Sequence, residues 1–252
     1  MSSSSLPTDL SPTVDASLEM QSQFRDFFGW RESEDHDSAR ALLASVEDSA
    51  IPSWEGHNRL VALSKLYRRM VIRKTEIAVL GAAVEPEELI QVLVNPVLFV
   101  SADGATGVLS ELPSSTSEKA WSRLACVVSD ADGGSGTIEA VKRAIPIVLH
   151  AHGDNREDWE GLLEQAKSQA EPPDLILTHQ TPRDIPGMHN PGGFTDGDRA
   201  VCFLLALGVE RDRISLLGTR TDIVGRWSGN TDEERKMEKL TWMSRVLHMH
   251  GF

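Results

Sequence analysis

The chain has 252 residues, 40% of them hydrophobic, and carries a formal charge of −13. That length supports one large core, or one domain with a small subdomain. The charge argues against nucleic-acid or anionic-membrane partners, because a polyanion is repelled, and it means that an anionic substrate needs a divalent cation such as Mg²⁺. Cys126 and Cys202 lie in apolar segments without a CxxC spacing, so both read as reduced core residues. No apolar run reaches transmembrane length and the serine-rich start has no hydrophobic signal core, which predicts a cytoplasmic protein.

In chain order, residues 1–17 lack periodicity and are expected as a disordered tail. Residues 18–74 read as a small helical N-terminal subdomain. Phe24, Phe27, Phe28 and Trp30 cluster in its first part, Ala39, Leu42, Leu43 and Val46 follow a helical stripe, and an amphipathic helix runs from His57 to Arg73. From residue 75 to 252, short apolar runs alternate with helical patterns, which predicts an α/β domain with a mainly parallel open sheet and helices on both faces. The expected strands are 76–80, 97–101, 124–129, 145–150, 174–178 and 213–218, and a final helix spans about 231–248.

Carboxylates gather where these strands end. Asp130 and Asp132 alternate after the third strand (SDADGG), Asp154 closes the fourth (HAHGDN), and Asp196 and Asp198 stand in GGFTDGDR ahead of a helix. In an open α/β sheet the ligand sits outside the strand ends, so these clusters suggest one metal-phosphate site. Oxygen ligands favour Mg²⁺, whereas His150 and His152 lack the third nitrogen or sulfur ligand that zinc needs. Aspartate and glycine also build plain turns, and Thr195 or Asp196 can simply cap the helix. The surplus of Thr195, Asp196, Asp198 and Arg199 at one mouth points beyond a cap. Asp103 in ADGAT sits at another strand end, and Lys236 and Lys239 share one face of the final helix, where they can reach phosphates or simply be solvated.

Taken together, ADGAT, SDADGG, HAHGDN, THQTP (178–182), GGFTDGDRA and the terminal KxxKL (236–240) resemble the archaeal-type 6-hydroxymethyl-7,8-dihydropterin pyrophosphokinases over most of residues 57–250. The resemblance implies a fold like that of thiamin pyrophosphokinases and ATP-dependent pyrophosphoryl transfer to the pterin hydroxymethyl group, with release of AMP. That step belongs to tetrahydromethanopterin or folate-type cofactor synthesis. On this reading Asp130, Asp132 and Asp154 hold Mg²⁺, with Asp198 joining them as a catalytic group. Asp103, His152, Asn155, Gln180, Thr195, Asp196, Arg199 and Lys236 contact ATP or pterin. Homo-oligomerisation is left open. Two departures stand out: residues 81–86 (GAAVEP) replace a glycine-rich turn, and Thr219 and Arg220 intervene before Asp222. The alternatives are a nucleotide-sugar glycosyltransferase, which shares the Asp-x-Asp motif, and a non-catalytic nucleotide- or pterin-binding relative.

Overall fold

The computed structural model describes residues 8–229 and 232–252. Three helices, α1 (Ala16–Phe28), α2 (Glu32–Glu47) and α3 (Gly56–Tyr67), precede β1 (Glu76–Leu80). Then come α4 (Pro86–Val92), β2 (Val97–Ala102), α5 (Val108–Glu111), α6 (Ser114–Arg123), β3 (Leu124–Ser129), α7 (Gly134–Lys142) and β4 (Ile147–Ala151). The chain closes with α8 (Arg156–Lys167), β5 (Leu175–His179), α9 (Asp196–Leu207), β6 (Ile214–Leu217) and α10 (Glu233–Met249).

All six strands pair in parallel, in the order β5-β4-β3-β2-β1-β6. Parallel strands are covered on both faces, which is why they read as continuous apolar runs. Their side chains nonetheless divide with period two. Ala78, Leu80, Leu149 and Leu177 join a cluster with α2 and α4–α8, while Ile77, Val79, Val148 and Ile176 join one with α3, α9 and α10. From β1 the chain adds β2 to β5 on one side, then returns through α9 to lay β6 on the other. This reversal makes a switch point between β1 and β6, where the loops diverge and leave a crevice. Because every strand points the same way, Gly81, Asp103, Asp130, His152, Gln180 and Gly218 all follow strand ends at one edge of the sheet.

The α/β expectation holds, and the strand boundaries agree to within two residues. The short helix α6 is not foreshadowed in the sequence, because its SSTSEKAWSR run is poor in strong helix formers and carries few apolar positions. Residues 1–7 of the expected tail lie outside the described residues, as does Thr231 at the expected start of the last helix. The tail reading fails further along. Leu10 is 1% exposed in the cluster with α3 and α9, and its amide donates to His189 Nδ1 at 3.3 Å. A single apolar side chain finding a cavity carries no periodicity that would mark it.

Residues 18–74 are largely helical, and their apolar faces lie in the sheet's own clusters: Ala39, Leu42, Val46 and Trp54 on one side, Ala62, Leu63 and Leu66 on the other. α1 docks separately through Phe24, whose ring centroid is 4.2 Å from that of Phe194. Leu42→Ala should therefore destabilise the whole protein by about 2–5 kcal/mol, the cost of a core cavity. Urea unfolding should stay a single transition with a lower midpoint. A new early transition would show that α2 packs as a separate unit.

Candidate active site

The acidic mouth is built by turns. Asp103 follows β2 with φ 43°, a left-handed conformation uncommon outside glycine. Its carboxylate accepts hydrogen bonds from the hydroxyls of Ser129 and Thr137. After β3, Ala131 adopts φ 82° between Asp130 and Asp132, and its amide donates to Ser129 Oγ at 2.9 Å. Asp130 and Asp132 thus reach one mouth through a strained turn and not by strand alternation. Asp196 opens α9. Asp103, Asp130 and Asp196 each offer a carboxylate oxygen within 4.8 Å of the others, and Asp132 lines the same mouth, its carboxyl raised by burial and by the charge of Asp130.

Two cations offset this crowding. Arg199 Nη1 lies 3.3 Å from Asp130 Oδ2 and 3.2 Å from Asp196 Oδ1. His152 Nε2 lies 3.2 Å from Asp130 Oδ2, and its Nδ1 lies 2.6 Å from Asp154 Oδ1. Burial opposes charge on Asp130, but the hydrogen bond and charge of His152, with the charge of Arg199, hold its carboxyl well below the usual range. Burial also opposes charge on His152, yet its two carboxylate partners push it up to about 9, so it is an imidazolium at neutral pH. Asp196 is raised to about 7 by burial and by the charge of Asp130. Asp103 is raised well above its ordinary value by burial and the charges of Asp196 and Asp130.

Several residues expected at the site do other work. Asp154 meets His152 on the side of the imidazole away from Asp130, with its side chain 67% exposed, so the expected trio of Asp130, Asp132 and Asp154 does not converge; Asp103 and Asp196 stand there instead. The turn after β4 carries Asp154 outward. Asp198 accepts from the amides of Phe194 (2.6 Å) and Thr195 (2.8 Å), completing a capping box with Thr195 that starts α9. Asn155, 3% exposed, donates to the carbonyls of Asp130 and His150 at 2.8 Å each, stitching two loops together. Both ends of the Gln180 amide are engaged, Oε1 by Arg199 and Nε2 by Asp35. His150 is buried and neutral, its Nδ1 3.0 Å from Thr178 Oγ1.

The two departures are also resolved. The amides of Gly81, Ala83 and Val84 bond to the carbonyls of Leu217, Gly218 and Gly81, so this turn spends its donors on β6 and on itself. Asp222 is exposed and pairs with Arg220 at 2.6 Å, and it is not among the clustered carboxylates.

Two hollows flank the acidic cluster. One lies at the switch point, lined by Ala82, Ala83, Ile223, Trp227, Leu240 and Met243 beside Asp103, Asp132 and Asp196. The other is lined by Trp30, Phe194, His152, Gln180, Arg199 and Lys239 beside Asp130, Asp132 and Asp196. Thr195 and Lys236 line both. Among the site residues that the sequence reading lacks are Trp30, Phe194 and Trp227, which line the hollows, and Arg25 and Asp35 behind them. The signal for Asp35 is a carboxylate on the buried stripe of α2 with Ser38, Ala39, Leu42 and Val46.

No family model matches the chain. It is 34% identical over 168 residues, 61% of its length, to a protein of Methanothermobacter thermautotrophicus named 6-hydroxymethyl-7,8-dihydropterin pyrophosphokinase. A protein of the same name from Pyrococcus furiosus is 35% identical over 156 residues, 59% of this chain. The chain spans 62% and 59% of the length of these curated relatives. The resemblance visible in the motifs is thus matched by two archaeal proteins bearing that family's name.

The charge states have a consequence for stability. In metal-free protein Asp196 holds its proton up to about pH 7, whereas the unfolded chain releases it near pH 4. Between those values the folded state binds more protons, so this carboxyl's contribution to stability falls as pH rises. Asp196→Asn removes that loss. In EDTA its melting temperature should exceed that of the unmodified protein by about 2–6 °C at pH 8, with a much smaller difference at pH 4. An equal shift at both pH values would refute the assignment.

Proposed function

We propose that the chain catalyses Mg²⁺-dependent transfer of the pyrophosphoryl group of ATP to the hydroxymethyl group of 6-hydroxymethyl-7,8-dihydropterin, giving the pterin diphosphate and AMP. The observation that carries this reading is a carboxylate cluster standing between two hollows, as a transfer between two bound substrates requires. The similarity to the two archaeal relatives supports the choice of substrates.

The residues present fit a hard cation. Asp103, Asp130 and Asp196 form an all-oxygen set, and Asp130 Oδ1 is buried without any hydrogen-bond partner. With Asp132 beside them, these carboxylates would hold Mg²⁺, which supplies charge neutralisation on the phosphate oxygens. The switch-point hollow takes the nucleotide, its apolar wall of Ala82, Ile223, Trp227 and Met243 receiving the base. The polar hollow takes the pterin, with Trp30 and Phe194 supplying its aromatic wall. Lys236 lines both hollows and places positive charge where the polyphosphate passes from one to the other. Arg199 and His152 hold Asp130 charged and present cations to the transferring group. Catalysis is then mostly positioning and electrostatics, as expected for an alcohol approaching a polyanion.

A binding-only relative is the second reading, favoured by the engaged amides of the 81–84 turn. Incubation with MgATP and hydroxymethyldihydropterin separates the two. AMP should appear only when the pterin is present, and not with thiamin or a nucleotide sugar as acceptor. Binding of both substrates without AMP would favour the second reading.

Within the proposed mechanism, Asp130→Asn should lower turnover by about 10²–10³, the scale seen when one electrostatic group of a preorganised site is removed. Asp154→Asn, acting only through His152, should cost about tenfold or less in the same AMP assay. Equal losses in the two variants would contradict this placement of Asp154.

A further inference from the structure

Two buried charges of the N-terminal helices, Arg25 of α1 and Asp35 of α2, lie directly behind the polar hollow. Asp35 is 1% exposed on the apolar stripe of its helix, where a carboxylate is costly unless it is fully paired. Its Oδ1 accepts from the Gly153 amide at 2.8 Å, and both its oxygens accept from Gln180 Nε2 at 3.0 Å. Arg25 Nη1 lies 3.7 Å from Asp35 Oδ2 and donates to the backbone carbonyl of Gln180 at 2.9 Å. On its far side, Gln180 Oε1 accepts from Arg199 Nη2 at 3.3 Å. One carboxylate therefore touches the supports of both cations that flank Asp130: Gln180 for Arg199, and Gly153 for the adjoining His152.

A carboxylate only accepts hydrogen bonds, so it forces the Gln180 NH₂ to face Asp35 and the carbonyl to face Arg199. A flipped amide would point N–H groups at a guanidinium. We propose that Asp35, clamped by Arg25, is a positioning residue that sets the Gln180 amide and through it Arg199, so that the N-terminal helices shape the acceptor pocket more than the nucleotide pocket. This rests on the pyrophosphoryl-transfer reading for its kinetics, but the relay itself is a property of the substrate-free protein.

The test uses the full chain. In Asp35→Asn the amide orientation is no longer dictated, so KM for hydroxymethyldihydropterin should rise about 10–100-fold, the scale of a lost hydrogen bond to a charged group. KM for ATP should rise several-fold less than KM for the pterin, because Arg199 reaches only the transferring group and Gln180, Arg199 and His152 do not line the switch-point hollow. If Asp35 acts through Gln180, the double variant Asp35→Asn/Gln180→Met should bind pterin no worse than Gln180→Met alone. Asp35→Glu keeps a charge beside Arg25, should cost less in the same KM, and carries the test if the Asn variant does not fold. Equal rises in both KM values, or additive losses in the double variant, would overturn the proposal. NMR of the substrate-free protein separates this failure from that of the function itself: the Arg199 guanidinium resonance should shift in either Asp35 variant. An unchanged Arg199 resonance sinks the relay whatever the AMP assay shows, while a wild type that makes no AMP sinks only the activity.

Discussion

The buried guanidinium of Arg199 is what lets carboxylates from three separate loops converge. Its side chain is 6% exposed and touches both Asp130 and Asp196. Neither a lone buried cation nor a lone cluster of buried anions is tolerable, because desolvation of each costs several kcal/mol. The GGFTDGDR run exists to place it. Gly193, at φ 92°, packs so closely that a Cβ there would stand 2.7 Å from Arg199 Cα. Thr195 and Asp198 then lock the first turn of α9, so that position 199 turns inward. What looks like a surplus of polar groups at a helix start is two residues of the charged site, Asp196 and Arg199, and two of scaffolding, Thr195 and Asp198.

Even with Arg199 and His152, the balance is incomplete. Asp103, Asp130, Asp132 and Asp196 face two positive side chains in direct contact, and the difference appears as raised proton affinity at Asp103 and Asp196. A divalent cation bound among these carboxylates would lower that proton affinity and release protons. The same crowding lies on the border between the two hollows, where a polyphosphate would otherwise be repelled. Sheet topology sets that border. The reversal beside β1 opens the apolar hollow, and the loops after β3, β4 and β5 with the start of α9 wall the polar one.

The fold was largely legible because parallel strands are short, apolar and punctuated, and because both helical layers leave periodic stripes. The mouth of the site was legible in part. Asp103, Asp130, Asp132, Asp196 and Arg199 follow strand ends or start a helix, where position along the chain predicts position in space. Asp154, Asn155 and Asp198 were over-read for a shared reason: a polar residue in a glycine-rich turn looks the same whether it meets a ligand or satisfies a backbone amide. Only the hydrogen bonds of Asn155 and Asp198 tell the two apart. Arg25 and Asp35 stayed hidden because Gln180, the partner they share, lies more than a hundred residues away, and a single charge on an apolar stripe reads as noise.

Backbone strain completes the account of the site. Asp103 and Ala131 both hold positive φ, a conformation that costs of order 1–3 kcal/mol each at a non-glycine residue. They persist because neighbours over-determine them. Ser129 donates its hydroxyl to Asp103 and accepts the Ala131 amide through the same oxygen, while Asn155 fixes the Asp130 carbonyl lying between. Relaxing either turn to ordinary φ would swing one carboxylate away from the others, which their mutual repulsion already favours. Strain and repulsion therefore push in the same direction, and the buried hydroxyl and amide contacts resist both. That opposition explains why the scaffold around so few acidic groups is itself so polar: Ser129, Thr137 and Asn155 are each 3% exposed or less, and each is committed to holding a turn that would otherwise open.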